Sequence, residues 1–356
     1  MPRTRTVVTL AGVGAALLVR RAMRRRIARS PLWPLPALEQ PVSGRPRGRT
    51  LRMTVTGRDT VADGVVQLRL EGRDLPAWSP GAHLDLVLPS GAVRQYSLCG
   101  DPDDTSSYTV ATRLIPAAEG GRGGSREVHE QLHAGTEVEV RGPRNRFPLV
   151  SSHAYVFVAG GIGITPILPM LRAAEASGAQ WRLLYGGRTR ASMPFLEEIE
   201  KLGGPEKVTV VPQDEAGLPD LGALFDGVPQ AAAVYCCGPQ GLMDAVSAAL
   251  PPGCTLHLER FTAAGPVADD GPFDVELRRS GRTITVAPDE SVLSAVRREL
   301  PDTPYSCEQG FCGTCQQRVL AGEIDHRDEL LTDAERADSV LICVSRASGE
   351  GMVLDL

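Results

Sequence analysis

Four cysteines near the end of the chain place the tightest constraint on what it can fold into. Cys307, Cys312 and Cys315 follow a C-x4-C-x2-C spacing, and Cys343 comes after a further 27 residues. Four thiolates spaced in this way enclose a [2Fe–2S] cluster. Such a loop must bring three thiolates together and turn backbone N–H groups toward the sulfides. Gly310 and Gly313 suit that task, because glycine tolerates positive φ and close backbone approach. A zinc site and a disulfide pair are the alternatives. Zinc commonly takes two C-x2-C pairs, and the second pair is missing here.

The chain has 356 residues with an ordinary globular share of apolar and charged side chains, enough for two or three domains. The remaining cysteines, Cys99, Cys236, Cys237 and Cys254, are scattered. Reduced thiols in a cytoplasmic setting are expected. The net charge of −5 is unevenly spread: residues 1–50 carry eleven arginines and one acid, Glu39. Within that segment Thr6–Val19 is uncharged and is followed by Arg20, Arg21 and Arg24–Arg26. At 14 residues it is short of the ~20 that a spanning helix needs. Two readings stand: an N-terminal extension, or a peripheral contact of residues 6–26 with the inner membrane face. No aromatic or groove-reading motif accompanies the basic stretch, so no nucleic-acid partner is expected.

Residues 30–49 are rich in Pro, Gly and Arg and read as a linker. Short alternating apolar runs follow: Leu51–Thr56, Val65–Leu70, His83–Leu88, Tyr108–Thr112 and Glu137–Arg141. They predict an antiparallel β-barrel. From Tyr155 the rhythm changes to buried strands alternating with helical patterns, which predicts a parallel sheet covered on both faces. A second linker, 263–271, precedes a small α+β unit with a hairpin, a helix over Glu290–Leu300 capped by Asp289, and the cysteine loop.

Inside the barrel region lies Arg94-Gln95-Tyr96-Ser97-Leu98, and after the first strand of the parallel sheet lies Gly160-Gly161-Ile162-Gly163-Ile164-Thr165-Pro166. The latter departs from G-x-G-x-x-G, with Pro166 where the last glycine would be. Cys236-Cys237-Gly238-Pro239 stands at a later strand end. Together with the cysteine loop these runs resemble the phthalate dioxygenase reductase and vanillate demethylase reductase family, over roughly residues 50–356. The resemblance implies a multidomain chain. It would comprise a basic extension and linker (1–49), an FMN-binding β-barrel (50–150), an NAD-binding α/β domain (151–262), a linker (263–271) and a β-grasp [2Fe–2S] ferredoxin domain (272–356).

The same resemblance assigns roles. R-x-Y-S-L is the superfamily's flavin motif. Arg94 supplies a bidentate contact to the flavin phosphate, Tyr96 lies on the ring and Ser97 donates to N5. Gly124 and Ser125, opening a helix after Gly120, point at the same phosphate. Gly160, Gly161, Gly163 and Thr165 form the superfamily's nucleotide turn. Cys237, with Gly238 and Pro239, lies near the nicotinamide. On the residues alone, Tyr96 reads as a core tyrosine, the Gly120–Ser125 run as a flexible loop, and Cys236 and Cys237 as buried structural thiols. The resemblance favours NADH. An NADPH site would need cations, and Arg188 and Arg190 are the candidates; the other reading leaves both solvated. Phe261 is assigned to core packing, with packing near the flavin as the alternative, and His326 to a structural hydrogen bond. The implied activity carries electrons from NADH through FMN and the cluster, held by Cys307, Cys312, Cys315 and Cys343, to a separate oxygenase. A haem mono-oxygenase is the alternative acceptor, and a redox sensor without turnover is the alternative from another class.

Overall fold

Alternation builds the first sheet. Leu51, Met53 and Val55 are buried while the residues between them are not, the period of two that a strand with one buried face imposes. The computed structural model describes residues 50–119, 121, 123–261, 271–328, 330–349 and 351–356, all within one compact unit, Gly44–Leu356. The expectations for the extension 1–49, its membrane contact, and nearly all of the linker 263–271 lie outside the described residues.

Strands β1 (Thr50–Ala62), β2 (Val65–Glu71), β3 (Ala82–Val87), β4 (Val93–Ser97), β5 (Ser107–Arg113) and β6 (Glu137–Asn145) form an antiparallel sheet in the order β4-β3-β6-β1-β2-β5. Just beyond β4 the two sheet edges meet. Leu98 bridges Val110, and the Cys99 N–H donates to the Thr109 carbonyl at 2.9 Å, closing the sheet into a barrel. Helix α1 (Gly124–Gln131) seals one side through Val128, and Leu132 just beyond it joins the same core.

The second layer system alternates strand and helix: β7 (Ala154–Gly160), α2 (Ile164–Ala176), β8 (Gln180–Gly187), α3 (Leu196–Lys207), β9 (Val208–Pro212), α4 (Gln213–Ala216), α5 (Leu221–Phe225), β10 (Ala233–Cys237), α6 (Gln240–Ala249) and β11 (Thr255–Glu259). All five strands run parallel in the order β11-β10-β7-β8-β9. Every residue of β10 is buried, as a strand covered on both faces must be. Separate apolar clusters fill the two faces, one holding Phe157, Tyr185 and Tyr235, the other Val156, Val158 and Val234.

The last unit contains β12 (Phe273–Leu277), β13 (Arg282–Val286), α7 (Val292–Glu299), β14 (Gln316–Ala321), β15 (Ile324–Asp325), α8 (Asp333–Arg336), β16 (Ser339–Leu341), β17 (Arg346–Ala347) and β18 (Gly351–Leu354). Its main sheet runs β13-β12-β18-β14-β16, with β18 parallel to β12, and α7 packs Val292, Leu293 and Val296 into the core. This is the β-grasp arrangement. The expected helix start is corrected: Ser291, not Asp289, caps α7 by accepting from the Ser294 N–H at 3.1 Å. Arg346 Nη1 donates to the Glu290 carbonyl at 2.6 Å, which holds Glu290 outside the helix.

Candidate electron-transfer site

Strand β4 presents the first set of residues. Its register sets Arg94 opposite Leu86, Tyr96 opposite Leu84 and Ser97 opposite His83. Tyr96 is half-buried against the barrel core, and Ser97 is buried. Beside Arg94 begins α1. A Cβ on Gly124 would lie 2.3 Å from Arg94 Nε, so only glycine lets the guanidinium come this close. Gly123 precedes the helix at φ 83°, and no side chain caps it. A guanidinium next to an uncapped helix start is suited to a phosphate. Ser125 Oγ accepts from the Ile115 N–H at 3.0 Å, which orients the hydroxyl next to this helix start. These residues fit an FMN phosphate. Gly120 and Arg122 lie outside the described residues.

The turn after β7 meets the segment after β10. A Cβ on Gly163 would lie 2.2 Å from the Cys237 carbonyl oxygen, and one on Gly160 would lie 2.5 Å from Pro239 Cδ. Two motifs about 70 residues apart in sequence thus touch, and glycine is what permits it. Gly161 takes φ 55° with open space beside it. Thr165 is buried and donates to the Ile162 carbonyl at 2.9 Å, so its hydroxyl shapes the turn. Strand order reverses between β7 and β10, and the crevice at such carboxyl ends is where a dinucleotide binds.

The adjacent cysteines separate cleanly. Cys236 joins Val234 and Val246 on one face, while Cys237 joins Phe157 and Tyr235 on the other. Burial first, then Glu259 and Cys236, raises the Cys237 thiol well above its ordinary value. Glu259 Oε2 is 4.0 Å from its sulfur. Cys237 is therefore a neutral thiol, suited to packing and polar contact and not to nucleophilic attack. Both candidate cations for a 2′-phosphate are occupied. Arg188 pairs with both Glu119 oxygens (3.0 and 3.1 Å), and Arg190 pairs with both Glu215 oxygens (3.2 and 3.0 Å). Both arginines are exposed, as the solvated reading expects, and each is held in a surface ion pair.

The nucleotide sheet is tied to the barrel beside Ser97. Ile162 packs with Val65, Cys99 and Ala111. From α2, Arg172 donates to the carbonyls of Cys99 (3.0 Å) and Gly100 (2.6 Å) while pairing with Glu198.

In the third unit, Cys307, Cys312, Cys315 and Cys343 are all buried and free of disulfides. The loop takes positive φ at Glu308, Gly310 and Gly313. Gln309 N–H donates to Cys307 Sγ at 3.3 Å, and Gly310 N–H bonds to Cys343. The Cys312 thiol is pushed far up, first by its hydrogen bond with Cys307 and then by burial. Converging sulfurs that receive backbone N–H groups fit a [2Fe–2S] cluster. Among the described residues no three His, Cys, Asp or Glu side chains are grouped to hold a single ion. A two-iron cluster divides its four thiolates between two metals, so such a grouping is not required.

Phe261 departs from expectation. It is 40% exposed, and its carbonyl, not its ring, is engaged, accepting from Gln309 Nε2 at 2.8 Å. His326 Nδ1 stands 3.4 Å from Asp328 Oδ1, but neither atom makes a hydrogen bond among the described residues, so the expected structural bond is not formed between them. Sequence reasoning missed Arg172, Glu119, Arg146 and Ser306. Each acts across a joint between units, and no local pattern marks it.

Two family models match this chain: a 2Fe-2S iron-sulfur cluster binding domain over residues 275–348, and an oxidoreductase NAD-binding domain over residues 157–248. The phthalate 4,5-dioxygenase oxygenase reductase subunit of Pseudomonas putida is 37% identical over 317 residues, 85% of this chain and 96% of that protein. The chain belongs to the phthalate dioxygenase reductase family. A solved phthalate dioxygenase reductase superposes with a TM-score of 0.63 at 36% identity, covering 86% of this chain and 98% of that one. An intact type IV self-sufficient cytochrome P450 monooxygenase matches with a TM-score of 0.68 at 42% identity over 86% of this chain. This member of the reductase family spans only 41% of that longer protein.

Proposed function

We infer that this chain is the reductase component of an oxygenase system, passing electrons from NADH through FMN and a [2Fe–2S] cluster to a separate oxygenase. One observation carries the reading: the crevice between β7 and β10, the barrel strand β4 and the cysteine loop adjoin one another in a single compact unit. When bound, FMN accepts the two electrons of a hydride and releases them singly, and the cluster carries one at a time.

The chain's own residues have three tasks. Gly160, Gly161 and Gly163, with Gly238 and Pro239, admit the dinucleotide to the sheet end. Cys237 packs beside the nicotinamide as a neutral thiol, and Ser97 donates to the flavin edge. Arg94, Gly124 and Ser125 hold the phosphate, while Tyr96 covers the ring. The working division follows residues 50–150 for flavin, 151–262 for nucleotide and 272–356 for the cluster.

The acceptor in this reading is an aromatic-ring hydroxylase or demethylase. A haem mono-oxygenase is the second reading, favoured by the likeness to the reductase portion of the P450 monooxygenase. No helix among the described residues is long and apolar enough to cross a membrane. The basic segment 6–26 is proposed to rest on the inner membrane face of a cytoplasmic protein; vesicle binding that survives deletion of residues 1–48 would refute this.

Anaerobic titration with NADH, followed in the visible spectrum, tests the main reading. Loss of the flavin and iron–sulfur bands together, with FMN released on denaturation, is expected. Bleaching of flavin alone would leave a simple flavin reductase.

A further inference from the structure

We propose that Ser306 is a positioning residue that fixes the cluster loop against the flavin site. The proposal rests on the flavin and cluster sites assigned above. Strand β4 ends its sheet's order, paired only with β3, so half of its backbone groups face away from the ladder. Val93 N–H is one of them, and it donates to Ser306 Oγ at 2.6 Å. Val93 is 3% exposed, so without that hydroxyl its amide would be buried and unpaired.

Ser306 makes a second contact with the same strand. Its carbonyl accepts from Arg94 Nη1 at 3.3 Å, and the same nitrogen donates to the Val93 carbonyl at 2.9 Å. The residue immediately before Cys307 is thus bonded to the guanidinium that faces the phosphate site. Around these bonds Val93 packs with Cys307, Phe311 and Cys312 in a small apolar cluster.

The other side of the loop is held as well. Arg146 Nη2, just past β6, donates to the Leu330 carbonyl at 2.9 Å. The buried Asp328 accepts from the N–H groups of Leu330 (3.1 Å) and Leu331 (2.7 Å). Asp328 lies against the loop itself, since a Cβ on Gly310 would be 3.1 Å from its Cα. With this far side anchored, the Ser306 hydroxyl sets how closely Cys307 approaches β4. Single electrons pass between two fixed groups, so their separation governs the rate.

Ser306→Ala and Ser306→Thr test this in the full-length protein. Both variants should keep iron and flavin, and NADH should bleach the flavin band as fast as in the parent. In Ser306→Ala, hydrogen exchange at the Val93 amide should be about tenfold faster, the ~1.4 kcal/mol of one hydrogen bond. Bleaching of the iron–sulfur band should slow by at least about the same factor. Ser306→Thr, which keeps the hydroxyl, should restore both. Unchanged Val93 protection in Ser306→Ala would overturn the proposal, as would faster exchange with an unchanged iron–sulfur rate. Loss of iron or flavin from Ser306→Ala would overturn it too, by making Ser306 part of the sites themselves. If the parent protein itself held no flavin or iron, the underlying site assignment would have failed instead.

Discussion

The barrel is joined to its two neighbours by different chemistry. On the nucleotide side the side-chain hydrogen bonds come from cations, beside the apolar packing of Ile162: Arg172 on the Cys99 and Gly100 carbonyls, and Arg188 on Glu119, with Arg188 largely exposed. On the cluster side Arg146 and Arg94 also donate to carbonyls, of Leu330 and Ser306, but a neutral hydroxyl caps the buried strand edge, with Val93, Phe311 and two of the cysteines packed around it. Exposed ion pairs are weak and salt-sensitive, whereas an unpaired buried amide is costly. The difference suits the tasks. A dinucleotide must enter and leave the first joint at every turnover, while only electrons have to cross the second.

The sharpest way to break the comparison is Cys312→Ser. It should abolish the iron–sulfur spectrum while leaving flavin reduction by NADH intact; loss of both would mean that the joints do not work separately. Arg94→Ala reaches both sides of β4. Removing a charged donor should weaken FMN binding by about 10- to 100-fold, measured by fluorescence of released flavin, and unchanged affinity would remove Arg94 from the site. Gly163→Ala strikes the nucleotide crevice beside that joint. The added methyl meets the Cys237 carbonyl at 2.2 Å, and overpacking of about 1–3 kcal/mol should appear as a lower melting temperature with slowed flavin reduction.

Between the joints sits His83, opposite Ser97. Burial first, then Arg144 and Arg146, pulls its imidazole down to about 3 from an ordinary 6.5. The unfolded chain therefore binds a proton below pH 6.5 that the folded chain refuses. That stability is whole above pH 6.5 and drains as pH falls toward 3, by up to about 1.4 kcal/mol per unit. Urea unfolding at pH 6.5 and 5 should show a shallower loss in His83→Gln; an identical slope would contradict the assignment. The smallest effect is expected from Glu119→Gln, which frees Arg188. Affinity for 2′,5′-ADP, measured by calorimetry, should rise by less than about threefold, and no rise would mean that Arg188 does not face the 2′-phosphate.

Much of this was legible because it is local. The cysteine spacing, R-x-Y-S-L, the glycine turn before Pro166 and Cys-Gly-Pro are short-range patterns whose chemistry is stated by neighbouring residues. Strand periodicity marked β1, β2 and β7 for the same reason. Strands β14, β16 and β18 were not read, because they follow the cysteine loop as short pieces whose pairing decides their burial. Periodicity likewise placed the start of α7 at Glu290, whereas Arg346, 56 positions away, takes that carbonyl and moves the cap to Ser291.

By itself, then, the sequence determined the kinds of site this reductase carries and the order of the units along the chain. Only the tertiary structure decided which side of β10 each of Cys236 and Cys237 faces, that carboxylates occupy Arg188 and Arg190, and that Ser306 meets Val93 across 213 positions. The reason is physical. A motif encodes what a residue can bond, but the burial and the partner that fix its charge and position come from parts of the chain far away in sequence.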